Sequence, residues 1–455
     1  MSLSSILSIA RSALWAHQRA MAVTAQNVAN AQTPGYTRER LTLMAVASSP
    51  YVANGIGLGV TDAGVERTRD TFYDATYRNE SGLLGGSATM RDYLSQVESA
   101  VNEPSDTGIS AALDGLFQSF GDLANDPSSG TNRDLVRTAA SRLVRQLNTL
   151  DQQIQQTSQD AVAKLRQDVT DANAITSQIA SLNANIRAAH AAHADSADLE
   201  DRRDLLTDQL SSLAGVRTLP QEDGSITVLA GDTTLVDGGT AHALSIVPAP
   251  GGGFGIGMDG SGTPIDLKAG SMKAITDLVS KVLPDLTSKL DTFTQSLVTE
   301  VNTIHRTGYT ADGQTGTDFF DPAGTTARTI RLTDAVSASG DAIAAGGTNT
   351  AGDNSVALLL AGLANTGVAS LGGRTMRDYY TGTAASVGTG VRDATTESEI
   401  HSTLVDHADT MRSSASGVSI DEEMVNLIGE QQAYSAAAHL VQVANDMMDT
   451  LMNMI

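Results

Sequence analysis

Over much of the chain apolar side chains return every three or four residues, the period of a helix that buries one face. Leu3, Leu7, Ala10, Leu14, Met21 and Val28 form one such line, with His17 and Thr24 filling the remaining steps, and predict a helix with a coiled-coil seam. The far end repeats the device. Leu427, Tyr434, Val441, Met448 and Ile455 fall seven apart, Met424, Gln431, Ala438, Asn445 and Met452 run alongside, and Leu451 belongs to the same apolar surface. Two further lines lie between the ends: Leu135, Ala139, Leu143, Leu147, Leu150 and Ile154, then, after a polar Gln-Ser interval, Leu165, Val169, Ala172, Ile175, Ile179, Leu182 and Ile186. They predict two long helices or one interrupted helix. Leu199 to Leu210 continues as another, with charges on one face and leucines on the other.

At Gly215 the pattern changes to β-branched alternation cut by Asp-Gly, Gly-Asp, Gly-Gly and proline, which predicts a small β-insertion with hairpins. Helical period returns from Met272 to His305, with Pro284 as a candidate kink. Residues 308–355 read as loops with short strands, and 356–363 and 374–415 as helix. The fold class predicted is mainly α with a small β insertion, in three parts. A terminal coiled-coil pair takes residues 1–62 and 405–455, a bundle of long helices takes 63–216 and 271–404, and a β-rich outer domain takes 217–270.

Punctuation sharpens the two ends. In "VTAQNVANAQTPGYTRE", Val23 to Glu39, the helix runs to Thr33 and is stopped by Pro34 and Gly35. Ser419 followed by Asp421, Glu422 and Glu423 places acidic groups at the positive end of the last helix.

Charge removes several function classes. Lys plus Arg is 29 and Asp plus Glu is 52, a net charge of −23, so neither nucleic acid nor an anionic membrane is an expected partner. The chain has no cysteine, which excludes disulfides and thiolate chemistry. Its first basic residue is Arg11 and no stretch reaches the ~20 apolar residues of a membrane span, so a cleaved secretory signal is not expected.

Candidate chemistry is sparse. Gly255-Ile-Gly-Met-Asp-Gly260 matches a dinucleotide fingerprint in letters, but Pro264 follows where a helix should open, so these glycines read as turns. His190, His193, Asp195 and Asp198 have a metal-ligand spacing in an alanine-rich helix end, where solvated surface is the simpler reading. Asp312 to Asp318 shares only composition with a calcium loop. His305, His401, His407 and His439 come without a nucleophile motif. No catalytic residue, cofactor or metal is expected. The terminal seams have two readings, an ordinary core face or a surface for polymerisation.

Val23 to Tyr36, "VTAQNVANAQTPGY", resembles the N-terminal signature of the flagellar axial proteins, the rod, hook and hook-associated proteins. Ser416 to Ile455, with its acidic start, Asn426-Leu427 and Gln431-Gln-Ala-Tyr434, is similar to the C-terminus of the hook-associated members. So are Asp201-Arg-Arg-Asp204, "HRTGYTADGQTGTDFF" ending at Phe320, and "GDNSVALLL" at Gly352 to Leu360. The resemblance implies an extracellular structural protein at the junction of hook and filament, exported by the flagellar type III apparatus. Its implied partners are further copies in a ring or short helical layer, hook protein, the next hook-associated protein, and a cytoplasmic chaperone on the C-terminal helix. The assembly positions implied are Leu3, Leu7, Leu14, Met21 and Val28 facing Leu427, Tyr434, Val441, Met448 and Ile455. Asn27, Asn30, Pro34, Gly35 and Tyr36 fix the exit of the chain, and Met424 and Leu451 complete the surface. Two alternatives remain: a hook- or filament-type subunit, and a metal-binding or hydrolytic protein on an axial scaffold.

Overall fold

The computed structural model describes residues 3–46, 57–249, 253–452 and 454. The chain opens with α1 (Leu3–Asn30), a hairpin of β1 (Glu39–Ala45) and β2 (Val60–Arg67), α2 (Thr71–Val101) and α3 (Ile109–Asn125). Two helices follow, α4 (Gly130–Ala191) and α5 (Ala197–Ala214). The β-insertion then holds β3 (Val216–Pro220), β4 (Ile226–Ala230), β5 (Thr233–Asp237), β6 (Thr240–Ala241), β7 (Leu244–Pro248) and β8 (Phe254–Met258). The chain returns through α6 (Ser271–Asp277), α7 (Leu283–His305), α8 (Asp334–Ala338), α9 (Ser355–Gly362), α10 (Met376–Ser416) and α11 (Ile420–Met452).

The open question about residues 135–186 resolves into one helix. α4 runs 62 residues without a break, about 90 Å at the standard rise. Its polar interval contains no glycine or proline, and Thr157 keeps the buried line going from Ile154 to Ala161. That line starts at Val136 and Ala140; Leu135 is half exposed and Ala139 only partly covered, so the sequence expectation was one residue out there. The N-terminal half of α4 packs on α3, and the C-terminal half carries the β-insertion. Asn173 holds β7 by donating to the Leu244 carbonyl (2.9 Å) and accepting from its amide (2.7 Å), and buried Asn183 does the same at Ile226 in β4.

Strands β3 to β6 form an antiparallel meander in chain order, and β7 and β8 form a separate hairpin. Gly255 and Gly257 of the fingerprint-like run lie in β8 and not in turns, and Gly257 bridges Pro264 as the chain folds back; a Cβ on Gly257 would meet the Thr263 carbonyl at 2.6 Å. Close strand approach explains these two, while Gly260, at φ +77°, takes the turn expected of it. The kink expected at Pro284 takes another form: a π-helical turn, Leu278–Val282, joins α6 to α7, and Pro284 sits in the first turn of α7, where its missing N–H costs nothing.

The irregular segment after α7 is pinned from within. His305 is fully buried, its Nδ1 at 2.8 Å from the Thr317 carbonyl and its Nε2 accepting from the Ala344 amide at 2.9 Å. Asn302 Oδ1 accepts from the amides of Phe319 and Phe320, both buried in the core beside Phe120 and Phe293. The motif ending in Phe320 is therefore a loop tied to its helix. Helices α2 and α10 pair along much of their length and complete the body.

Candidate assembly interface

Chain ends meet in this fold. Helix α11 packs antiparallel on α1, with His17 Nδ1 at 2.7 Å from Glu430 and Asn27 Nδ2 donating to Glu423 at 3.0 Å. The buried positions of α11 are Glu423, Ala437 and Ala444. With Glu430 these are seven apart, so the second line of the seam is 423, 430, 437 and 444, one residue before the expected 424, 431, 438, 445 and 452. On α1 the corresponding shift moves the line from Leu7, Leu14, Met21 and Val28 to Ala20 and Asn27, while Ala10, His17 and Thr24 hold the places expected of them. Leu7, Leu14, Met21, Val28, Leu427 and Val441 are half-buried at the seam's flanks. Tyr434, Met448, Met424 and Leu451 are between 37% and 50% exposed, so they form an outer surface instead of an inner one. Leu3 reaches the residues around Met447 and Leu451 at the far end of the pair. Ile455 lies outside the described residues.

Asn27 explains the stop signature. Its side chain is 1% exposed and uses all its hydrogen-bonding capacity. Nδ2 donates to the Glu39 carbonyl (2.8 Å) and to Glu423, while Oδ1 accepts from the Glu39 amide (2.9 Å) and the Tyr36 hydroxyl (2.9 Å). One amide side chain thus acts as a strand partner for β1 and ties it to both terminal helices. Gly35, at φ +80°, turns the chain so that Tyr36 can return. Asn30 donates to the Gln26 carbonyl and its Oδ1 accepts from the Thr33 hydroxyl at the helix end. Pro34 is exposed.

Glu39 sits beneath this knot, with a buried Oε1 that has no hydrogen-bond partner. Burial, reinforced by Asp195, Asp198 and Asp201, pushes its carboxyl up to about 7. A carboxyl raised in the folded state adds stability that is complete below about 4.5 and is lost as pH rises through about 7. The terminal region should therefore lose roughly 2 kcal/mol between pH 5 and 8. Glu39→Gln should flatten that slope in urea unfolding followed by hydrogen exchange of β1; equal slopes in both proteins would refute the assignment.

A second cluster joins this end to the body. Asp201, Asp204 and Asp208 lie three and four residues apart on one face of α5, where four arginines from β2, the β2–α2 connection, α2 and α10 converge. Arg67 contacts Glu200 (2.6 Å), Asp201 (2.6 Å) and Asp204 (2.9 Å). Arg69 reaches Asp204 (2.8 Å) and Asp74 (2.5 Å), and Arg78 reaches Asp204 (3.2 Å) and Asp208 (2.7 Å). Arg412, over the Tyr77 ring at 4.0 Å, closes the set on Asp208 at 2.6 Å. Thr37 adds its amide and hydroxyl to Asp201. Burial alone would raise the Asp204 carboxyl, but Arg69, Arg78 and Arg67 outweigh it and hold it down at about 2. These arginines were invisible to sequence reasoning because they are scattered from residue 67 to 412; the acidic face of α5 was the available signal.

The remaining candidates are structural. His190 faces Glu200 at 3.6 Å, and with His193 lines a cleft of about 540 Å³ whose Arg67, Arg69 and Glu200 are already paired. His401 meets Glu80 at 2.8 Å between α10 and α2. Among the described residues no three His, Cys, Asp or Glu gather as a metal site.

The chain is similar to known proteins. Residues 94–320 match the family described as flagellar hook-associated protein FlgK helical domain. Residues 412–454 match flagellar basal body rod FlgEFG protein C-terminal, and 7–37 match flagella basal body rod protein. Flagellar hook-associated protein 1 of Bacillus subtilis is 30% identical over 98% of this chain and 97% of its own length. The protein of that name from Salmonella typhimurium is 30% identical over 70% of this chain and 59% of its own. In structure, the flagellar hook junction protein FlgK from Burkholderia pseudomallei superposes with a TM-score of 0.66 at 17% identity, over 75% of this chain and 100% of that one.

Proposed function

Since the chain belongs to the flagellar hook-associated protein 1 family, as a structural axial protein of the bacterial flagellum at the junction of hook and filament, we propose that its terminal helices are the assembly element. The supporting observation is the outer surface of α11, which leaves Met424, Val425, Ile428, Leu440, Val443, Met447 and Leu451 open to solvent on a helix that packs chiefly on α1. So much exposed apolar surface marks a site meant to be covered. Assembly is proposed to engage Leu3, Leu7, Leu14, Met21, Val28, Leu427, Tyr434, Val441, Met448, Leu451 and Ile455, with Asn27, Asn30, Pro34, Gly35 and Tyr36 setting the exit of the chain.

In this reading identical copies form a ring or short helical layer, with hook protein on one side and the next hook-associated protein on the other. The protein is not an enzyme and needs no cofactor. It leaves the cell through the flagellar type III apparatus, while a cytoplasmic chaperone covers α11. No described helix is long and apolar enough to cross a membrane. Residues 1–62 with 405–455 form the assembly domain, 63–216 with 271–404 the helical body, and 217–270 the outer domain. The match of residues 94–320 to a hook-associated helical domain favours a junction protein over a hook or filament subunit.

The test is complementation of cells that lack their own junction protein. Immunogold should place the chain between hook and filament. Val441→Asp, at the flank of the seam, should remove it from isolated flagella while leaving thermal unfolding of the body unchanged. Normal incorporation of that variant would sink the terminal-helix reading.

A further inference from the structure

Charge is divided unequally between the paired helices. α1 carries Arg11 and Arg19 and no acidic residue, whereas α11 carries Asp421, Glu422, Glu423, Glu430, Asp446 and Asp449 and no Lys or Arg. Their mutual seam uses little of this, matching Glu430 to His17 and Glu423 to Asn27. Arg19 is spent on Asp62 of the hairpin, and Arg38 takes Glu422 and Glu423. Among the described residues Arg11, Asp446 and Asp449 have no ion-pair partner.

These groups stand on matching outer stripes. Arg11, Trp15 and Gln18 are exposed at steps of four and three on α1, and Trp15, the sole tryptophan, is 69% exposed. On α11, Gln442, Asp446 and Asp449 are exposed at steps of four and three. Because the helices of one copy are antiparallel, α1 of one copy would also meet α11 of the next in antiparallel sense.

Resting on the assembly reading, we propose that the outer stripe of α1 docks on the outer stripe of α11 in a second copy of this chain. Arg11 pairs with Asp449 and Asp446, the Trp15 indole N–H donates to Asp446 over the thioether side chain of Met447, and Gln18 meets Gln442. The contact cannot form within one copy. There His17 is level with Glu430, which puts Arg11 beside the middle of α11, about ten residues or roughly 15 Å from Asp446. At the level of Arg11, α11 offers Gln432, Ser435 and His439, none of them an acid, and Glu430 further along already faces His17. The charges match only if neighbouring copies are offset by that distance along the pair.

The absence of cysteine makes the test clean. A chain carrying Gln18→Cys and Gln442→Cys cannot bridge internally, since those Cα atoms are far beyond disulfide range. Oxidation of isolated flagella containing it should give a ladder of linked copies, with neither single variant doing so; normal incorporation without a ladder overturns the contact. Independently, Arg11→Glu should reduce incorporation roughly tenfold through like-charge repulsion. Adding Asp446→Arg and Asp449→Arg to the same chain should restore most of it. Wild-type incorporation of Arg11→Glu, or no recovery in the triple variant, overturns the proposal even if the protein assembles. Failure of the wild-type chain itself to incorporate would remove the assembly reading and this contact together.

Discussion

Exchanging Asp204 for asparagine should cost the fold about 3–5 kcal/mol, the range found when one member of a buried charge cluster is removed and the others are left in place. The side chain is 10% exposed and faces Arg67, Arg69 and Arg78 at 2.9, 2.8 and 3.2 Å. Taking those charges out of water is expensive, and their shared carboxylate is what offsets it. Asparagine keeps the volume and removes the charge, so the loss reports electrostatics and not a cavity. Asp266→Asn is the control, because Asp266 pairs with Lys268 in open solvent and should change nothing measurable. Urea unfolding with hydrogen exchange on α5 and β2 reads both. A loss under about 1 kcal/mol for Asp204→Asn would show that the remaining carboxylates suffice and that the cluster is not the joint between the terminal helices and the body.

The second large effect is expected at Asn27. Alanine there would strand the buried Glu39 amide and carbonyl, one buried oxygen of Glu423 and the half-buried Tyr36 hydroxyl. Unpaired buried groups cost about 1–3 kcal/mol each, but solvent can reach some of them once the hairpin loosens, so about 3 kcal/mol is the expected total. The loss should be local: amides of β1 and the first turns of α11 should exchange faster, while those of α4 do not change. Asn27→Asp separates the roles, since it keeps the acceptor and loses the donor beside Glu423. If Asn27→Asp matches wild type, the donor side of the knot contributes nothing. If Asn27→Ala slows no motion in β1 and speeds none, the hairpin is held by other contacts.

The parts of this fold that rest on periodicity could be read from the sequence, and the parts that rest on long-range charge could not. α4, α5, α7 and α11 announce themselves because leucine and isoleucine recur on one face. The seam of the terminal pair was found but misplaced by one residue in one of its two lines on each helix. Apolar side chains occupy both neighbouring lines, and the structure prefers alanine inside, where the backbones come closest, with leucine and methionine beside it. α2 escaped notice because Gly82, Gly85 and Gly86 interrupt its pattern, although its 31 residues form the partner of α10. The β1–β2 hairpin was missed for a different reason: its strands bury little side-chain surface, alternating weakly between half-covered and exposed positions. Asn27 holds β1 and Arg67 anchors β2, polar residues whose importance no periodic pattern can reveal. Arg67, Arg69, Arg78 and Arg412 each look like ordinary surface cations until folding gathers them on α5.

The bond from Asn27 to Glu423 spans 396 residues. Were the intervening chain disordered, closing such a loop would cost about 5 kcal/mol, more than one helix pair of alanines can return. Once the body has folded the cost largely disappears, because Arg412 on Asp208 and the Arg38 amide on the Ser416 carbonyl already bring the two ends side by side. The order of events follows: body first, termini last. A chain ending between α10 and α11 would keep the elements of its body and still present α1 without its mate. The paired surface of α1 and α11 is thus a product of the folded body, present only in a copy that carries both helices.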